Sequence, residues 1–79
     1  MRKETVDWLA SLRARGNEPG TVFVAVRARS RSIVIYPEEI AARNDEQLLA
    51  FIRHRFAHAA KPFHTQRDYQ LPETQRKSA

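Results

Sequence analysis

Residues 21–36, TVFVAVRARSRSIVIY, limit the possible folds more than any other stretch of the chain. Two runs rich in β-branched residues flank a centre that holds Arg27, Arg29 and Arg31, the pattern of two strands joined by a turn. The spacing predicts one strand from Thr21 to Arg27 and a second from Ser32 to Tyr36. Pairing Ala28 with Arg31 sets Val26 opposite Ile33 and Val24 opposite Ile35 on one face, together with Val22. The same pairing sets Ala25 opposite Val34 and Phe23 opposite Tyr36 on the other, because side chains alternate along a strand. The centre lacks the glycine or asparagine of a tight two-residue turn, so a looser loop over residues 28–31 is expected.

Both faces of this ribbon are apolar, and a two-stranded sheet has two open edges. The helices can cover one face each. Alternatively, a second copy or a target protein covers the face of Phe23, Val34 and Tyr36 or extends the sheet. An isolated hairpin is marginal in water, which favours self-association, so a homodimer is expected.

Around the hairpin the sequence reads as helix. Over residues 3–15, Val6, Leu9 and Leu12 recur near helical spacing with Trp8 beside them. Thr5 is a candidate cap, or the helix starts at Lys3. Arg13 and Arg15 fall in the last turn, where a cation complements the helix dipole, and Gly16 is a natural stop. Asn17-Glu18-Pro19-Gly20 is turn chemistry. Pro37 opens a short helix from Glu38 to about Arg43. Asn44 or Asp45 caps the next, and Asn44 with Gln47 has the spacing of a capping box. Leu48, Leu49, Ile52, Phe56 and Ala59 form its stripe, and Lys61-Pro62 stops it. From Lys61 onward the chain is polar and basic, with Phe63, Tyr69 and Leu71 alone to bury. The expectation is therefore a single small α+β domain over residues 1–60, helix, β-hairpin, short helix and helix. A basic tail over 61–79 follows it, extended or disordered unless a partner orders it.

The 79 residues suit one domain of modest core. The absence of cysteine excludes disulfides and thiolate zinc sites. No apolar run approaches the roughly 20 residues of a membrane span, and Glu4 and Asp7 interrupt the basic N-terminus, so a cytoplasmic protein without membrane contact is expected. Fourteen Lys and Arg, eleven of them Arg, against nine Asp and Glu leave a net charge of +5. That balance points to an anionic partner, nucleic acid first. The eleven alanines beside the eleven arginines are also what GC-rich coding produces, so charge supports a partner class without naming the partner.

The segment Arg53-His54-Arg55-Phe56-Ala57-His58 holds two histidines one helical turn apart. With His64 they are a candidate metal set, but no carboxylate lies nearby in sequence, and neither a metal nor another cofactor is expected. The two histidines instead join the basic surface. In its Arg-x4-His spacing the segment resembles the HEPN ribonucleases, which implies an acid–base role for Arg53 and His58 around a scissile phosphate. HEPN domains are all-helical, whereas this chain spends two segments on strands. There is no glycine-rich phosphate loop, no paired-carboxylate motif, since Glu38 and Glu39 are adjacent at a helix start, and no base arrangement for Ser30 or Ser32.

The leading expectation is a small basic non-enzymatic protein that binds nucleic acid or a nucleoprotein complex with little sequence specificity. The hairpin-tip Arg27, Arg29 and Arg31 would grip phosphate, assisted by Arg53, His54, Arg55 and His58. Phe51, off the centre of its stripe, is the candidate contact aromatic, while Trp8 and Phe23 are assigned to packing. One alternative is an inhibitor of the kind phage and other mobile elements encode, binding the acidic surface of a host protein through a strand edge and the arginine patch. The other is a small ribonuclease toxin using Arg53 and His58.

Overall fold

The hairpin closes in the register that alternation dictates. In a computed structural model, which describes residues 1–59, 61–62 and 69–70, β1 (Val24–Ala28) pairs antiparallel with β2 (Arg31–Ile35). Val24 stands opposite Ile35, Ala25 opposite Val34, Val26 opposite Ile33, Arg27 opposite Ser32 and Ala28 opposite Arg31. Helix α1 (Lys3–Gly16) precedes the hairpin, and α2 (Pro37–Ala41) and α3 (Asp45–Ala59) follow it, which makes the fold α+β.

Val24, Val26, Ile33 and Ile35 are buried in one cluster with Leu9 and Leu12 of α1, Ile40 of α2, and Leu48, Leu49 and Ile52 of α3. The helices thus share one face of the ribbon instead of taking one each. The physical reason is area. That face offers four β-branched side chains, each contributing about 1.5–3 kcal/mol when fully buried, whereas the outer face between Phe23 and Tyr36 holds Ala25, Val34, Arg27 and Ser32. Phe23, which the sequence assigned to packing, is left 51% exposed on that outer face. Val22 is 72% exposed, because the ladder begins at Val24 and not at Thr21.

Helix α1 buries Thr5, Leu9, Leu12 and Gly16, a stripe with i, i+4, i+7, i+11 spacing. Thr5 is therefore a core residue and not a cap, and Val6, one position round the helix, turns outward. Gly16 does not stop the helix through a left-handed backbone. It is helical, and a Cβ on it would stand 3.0 Å from Ile40 Cδ1, so its missing side chain admits α2. The reversal comes next, where the Thr21 N–H donates to the Glu18 carbonyl (3.1 Å) with Pro19 and Gly20 (φ 84°) between them. Proline then a positive-φ glycine is the signature of a type II turn.

Pro37 occupies the first turn of α2, and the Tyr36 N–H donates to Glu39 Oε1 (3.0 Å). At the start of α3 the expected capping box is formed: the Gln47 N–H donates to Asn44 Oδ1 (2.8 Å) and the Asn44 N–H to Gln47 Oε1 (3.0 Å). Asn44→Ala is expected to destabilise the fold by about 1 kcal/mol, a fall of about 4–8 °C in melting temperature, with Asn44→Ser holding most of the wild-type value in the same melt.

The sheet has four strands where two were expected. Lys61–Pro62 (β3) pairs antiparallel with β2, Ser32 opposite Lys61, and Tyr69–Gln70 (β4) pairs parallel with β1, Arg27 opposite Gln70. The order is β3-β2-β1-β4. Backbone groups left open along the tip half of both strands find partners in the same chain, which is the ordinary remedy for an exposed edge. The rest of the segment read as a tail lies outside the described residues. Among the described residues, no helix is long and apolar enough to cross a membrane.

Candidate anion-binding surface

The ladder runs to the Ala28–Arg31 pair and leaves Arg29 and Ser30 as a two-residue turn. The loop is thus tighter than the composition suggested. The right-handed twist of the flanking strands demands a positive φ in such a turn, and Arg29 supplies it at φ 58°. For a residue with a Cβ that conformation costs about 1–2 kcal/mol. Arg27 lies half-buried on the outer face opposite Ser32, while Arg31 is exposed at a position of the opposite face. The three guanidinium groups therefore fan around the tip instead of sharing one face.

Arg29→Gly is expected to separate folding from binding. Relief of the left-handed strain should raise the melting temperature by about 4–8 °C, one kcal/mol's worth in a chain of this size. The lost cation should weaken capture of an anionic ligand. A thermal melt beside a binding titration reads both, and a lower melting temperature would show that the arginine itself stabilises the turn.

Helix α3 runs from the base of the sheet toward this tip. Its first residue, Asp45, is held by Arg13 near the end of α1, with Arg13 Nη2 at 2.9 Å and Nε at 3.1 Å from Asp45 Oδ1. Its far end leads directly to Lys61, opposite Ser32 beside the turn. Arg53, His54 and His58, all exposed, are thereby carried toward the end that holds the arginine turn. Lys61, which the sequence left in the tail, stands in the ladder beside the arginine turn. Its role was hidden because a cross-strand partner far away in sequence leaves no local signature. The imidazoles of His54 and His58 stand 4.3 Å apart between centroids, tilted by 46°. Among the described residues no group of three or more His, Cys, Asp or Glu is placed to hold a metal ion, and His64 lies outside them.

Arg55 and Phe51 occupy a different flank. Arg55 Nη1 is 3.9 Å from Glu39 Oε2. The Arg43 guanidinium lies 3.9 Å from the Phe51 centroid, with that of Arg55 at 5.8 Å. Arg43 Nη1 also donates to the Glu39 carbonyl (2.8 Å). Phe51 is half-buried against the core under this layer, a stitch between α2 and α3. Arg53 and His58, five residues apart, leave the helix about 140° from one another at 3.6 residues per turn.

Charge is unevenly spread along the long direction of the sheet. At the base, where α1 ends and α3 begins, the segments carry Glu18, Glu38, Glu39, Asp45 and Glu46 together with Arg13, Arg15 and Arg43, whereas Arg27, Arg29, Arg31 and Lys61 gather at the tip. On the outer face between these ends lie Phe23 and Tyr36, 51% and 41% exposed, with half-buried Ala25 and Val34. No protein-family model matches the chain, and neither a curated protein nor a solved structure matches it.

Proposed function

We propose that this protein binds nucleic acid, or a nucleoprotein complex, through phosphate contacts from the tip of the hairpin, with little sequence specificity and without catalysis. One observation carries the reading: Lys61, shortly after α3, stands opposite Ser32 and adds a cation far away in sequence to the Arg27–Arg31 turn. A concentrated cationic pole attracts a polyanion and releases its counterions on binding. The backbone of Arg29 adds weight. Glycine would turn the chain there with less strain, so an arginine held at φ 58° is better understood by what its side chain contacts than by what it does for folding. Among the described residues nothing supplies a set of base-reading side chains, which is why specificity is expected to be low.

The test is fluorescence anisotropy with a labelled random duplex and a labelled single strand, at about 50 and 200 mM salt. Affinity should fall steeply as salt rises and vary little with sequence. Both probes should remain intact, since the binding proposed is not catalytic. Absence of binding at the lower salt would overturn the proposal. Binding to an acidic host protein in its place would favour the inhibitor reading, and RNA cleavage lost on His58→Ala would favour the ribonuclease.

A further inference from the structure

We infer that the outer sheet face docks a second copy of this chain, tip to base, about a two-fold axis that crosses the strands. The face has an apolar centre and a cation–aromatic pattern that complements itself when one copy is reversed. With the axis over the Ala25–Val34 pair, the positions two residues tipward, Arg27 and Ser32, stack on those two residues baseward in the partner, Phe23 and Tyr36. Arg27 of each copy then meets an exposed aromatic ring of the other, an attraction that grows as water is excluded. Two residues further out, the Arg29 turn faces the start of α2, where Glu38 is exposed. Stacked sheets lie about 10 Å apart with strands nearly aligned, within reach of these side chains.

The other two-fold arrangement, with the axis along the strands, stacks Arg27 on Ser32 and sets both cationic tips side by side. Like charges brought together across an interface cost several kcal/mol. The cationic tip thus selects the reversed orientation. It also leaves Arg31 and Lys61 beyond the stacked centre at each end of the pair. This inference does not depend on the anion-binding proposal, although the two share the tip.

Sedimentation equilibrium over about a hundredfold range of protein concentration tests it. A dimer is expected for wild type. Phe23→Ser with Tyr36→Ser should raise its dissociation constant about tenfold or more without loss of the helical circular-dichroism signal, both side chains being more than 40% exposed. Glu38→Arg should weaken the dimer, and Arg29→Glu added to it should restore it. A wild-type monomer at every concentration would overturn the inference, and so would a dimer indifferent to the two serine changes. A monomer whose melting temperature falls on those changes would show that the face is covered within one chain, which overturns it as well. Failure of the charge exchange to restore association would overturn the tip-to-base orientation. Duplex binding by the serine variant reports on the other proposal separately: a monomer that still binds leaves the anion-binding reading intact.

Discussion

Arg13→Ala is expected to lower the melting temperature by about 10–20 °C, corresponding to about 2–3 kcal/mol. The guanidinium makes four bonds across two chain reversals. Nε and Nη2 reach Asp45 Oδ1 at 3.1 and 2.9 Å, Nη1 donates to the Ile40 carbonyl at 3.0 Å, and Nη2 donates to the Arg43 carbonyl at 2.8 Å. The ion pair alone would contribute little, since its side chains are 29% and 40% exposed and water screens them. The carbonyls matter more. A helix ends with acceptors that have no intrahelical partner, and Arg13 serves the end of α2 while anchoring the start of α3. Arg13→Lys should recover only part of the loss, because an ammonium is a point donor and cannot span these acceptors as the planar fork does. A fall below about 4 °C for Arg13→Ala in a calorimetric melt would mean that packing alone holds the α2–α3 connection.

The triple change Arg27→Ala, Arg29→Ala, Arg31→Ala is expected to weaken duplex binding on the order of a hundredfold at low salt. It should also flatten the plot of log affinity against log salt by about 2 to 3, since each lost phosphate contact removes about 0.9 of slope. Arg53→Ala, at the same pole, should take away about one such contact. Arg55→Ala is the control: its guanidinium lies on the α2 flank beside Glu39 and Phe51, away from the tip, so its loss should leave the slope almost unchanged. An equal loss per charge removed from Arg55→Ala and from the triple change would show attraction by net charge rather than by the tip. An unchanged slope in the triple variant would remove the tip from the binding surface.

The strands, their register and the capping of α3 were legible because each is written in a short window. Alternation over Val24–Ala28 and Arg31–Ile35 admits one pairing that sorts four β-branched side chains to a single face, and a slip of one residue would turn them to water. Asn44 and Gln47 satisfy each other within one helical turn. The turn was misread because glycine is the usual solution for a positive φ, and Arg29 accepts the strain. Arg13 was read as a complement to its own helix dipole, since only the fold brings it to Asp45, 32 residues away.

The candidate site divides along the same line. The arginines of the turn are visible in sequence as a cluster. That Phe51 and Arg55 join a layer on the α2 flank while Lys61 comes to the turn follows from where α3 lies across the sheet. By itself the sequence determined the α+β composition of the chain, the hairpin register and the basic turn, all products of interactions between near neighbours. The tertiary structure alone decided that both long helices share one face, that Phe23 and Tyr36 stay exposed on the other, and that Lys61 comes beside the basic turn. Those outcomes depend on competition among distant apolar surfaces and strand edges for the same partners, and no local pattern records which of them wins.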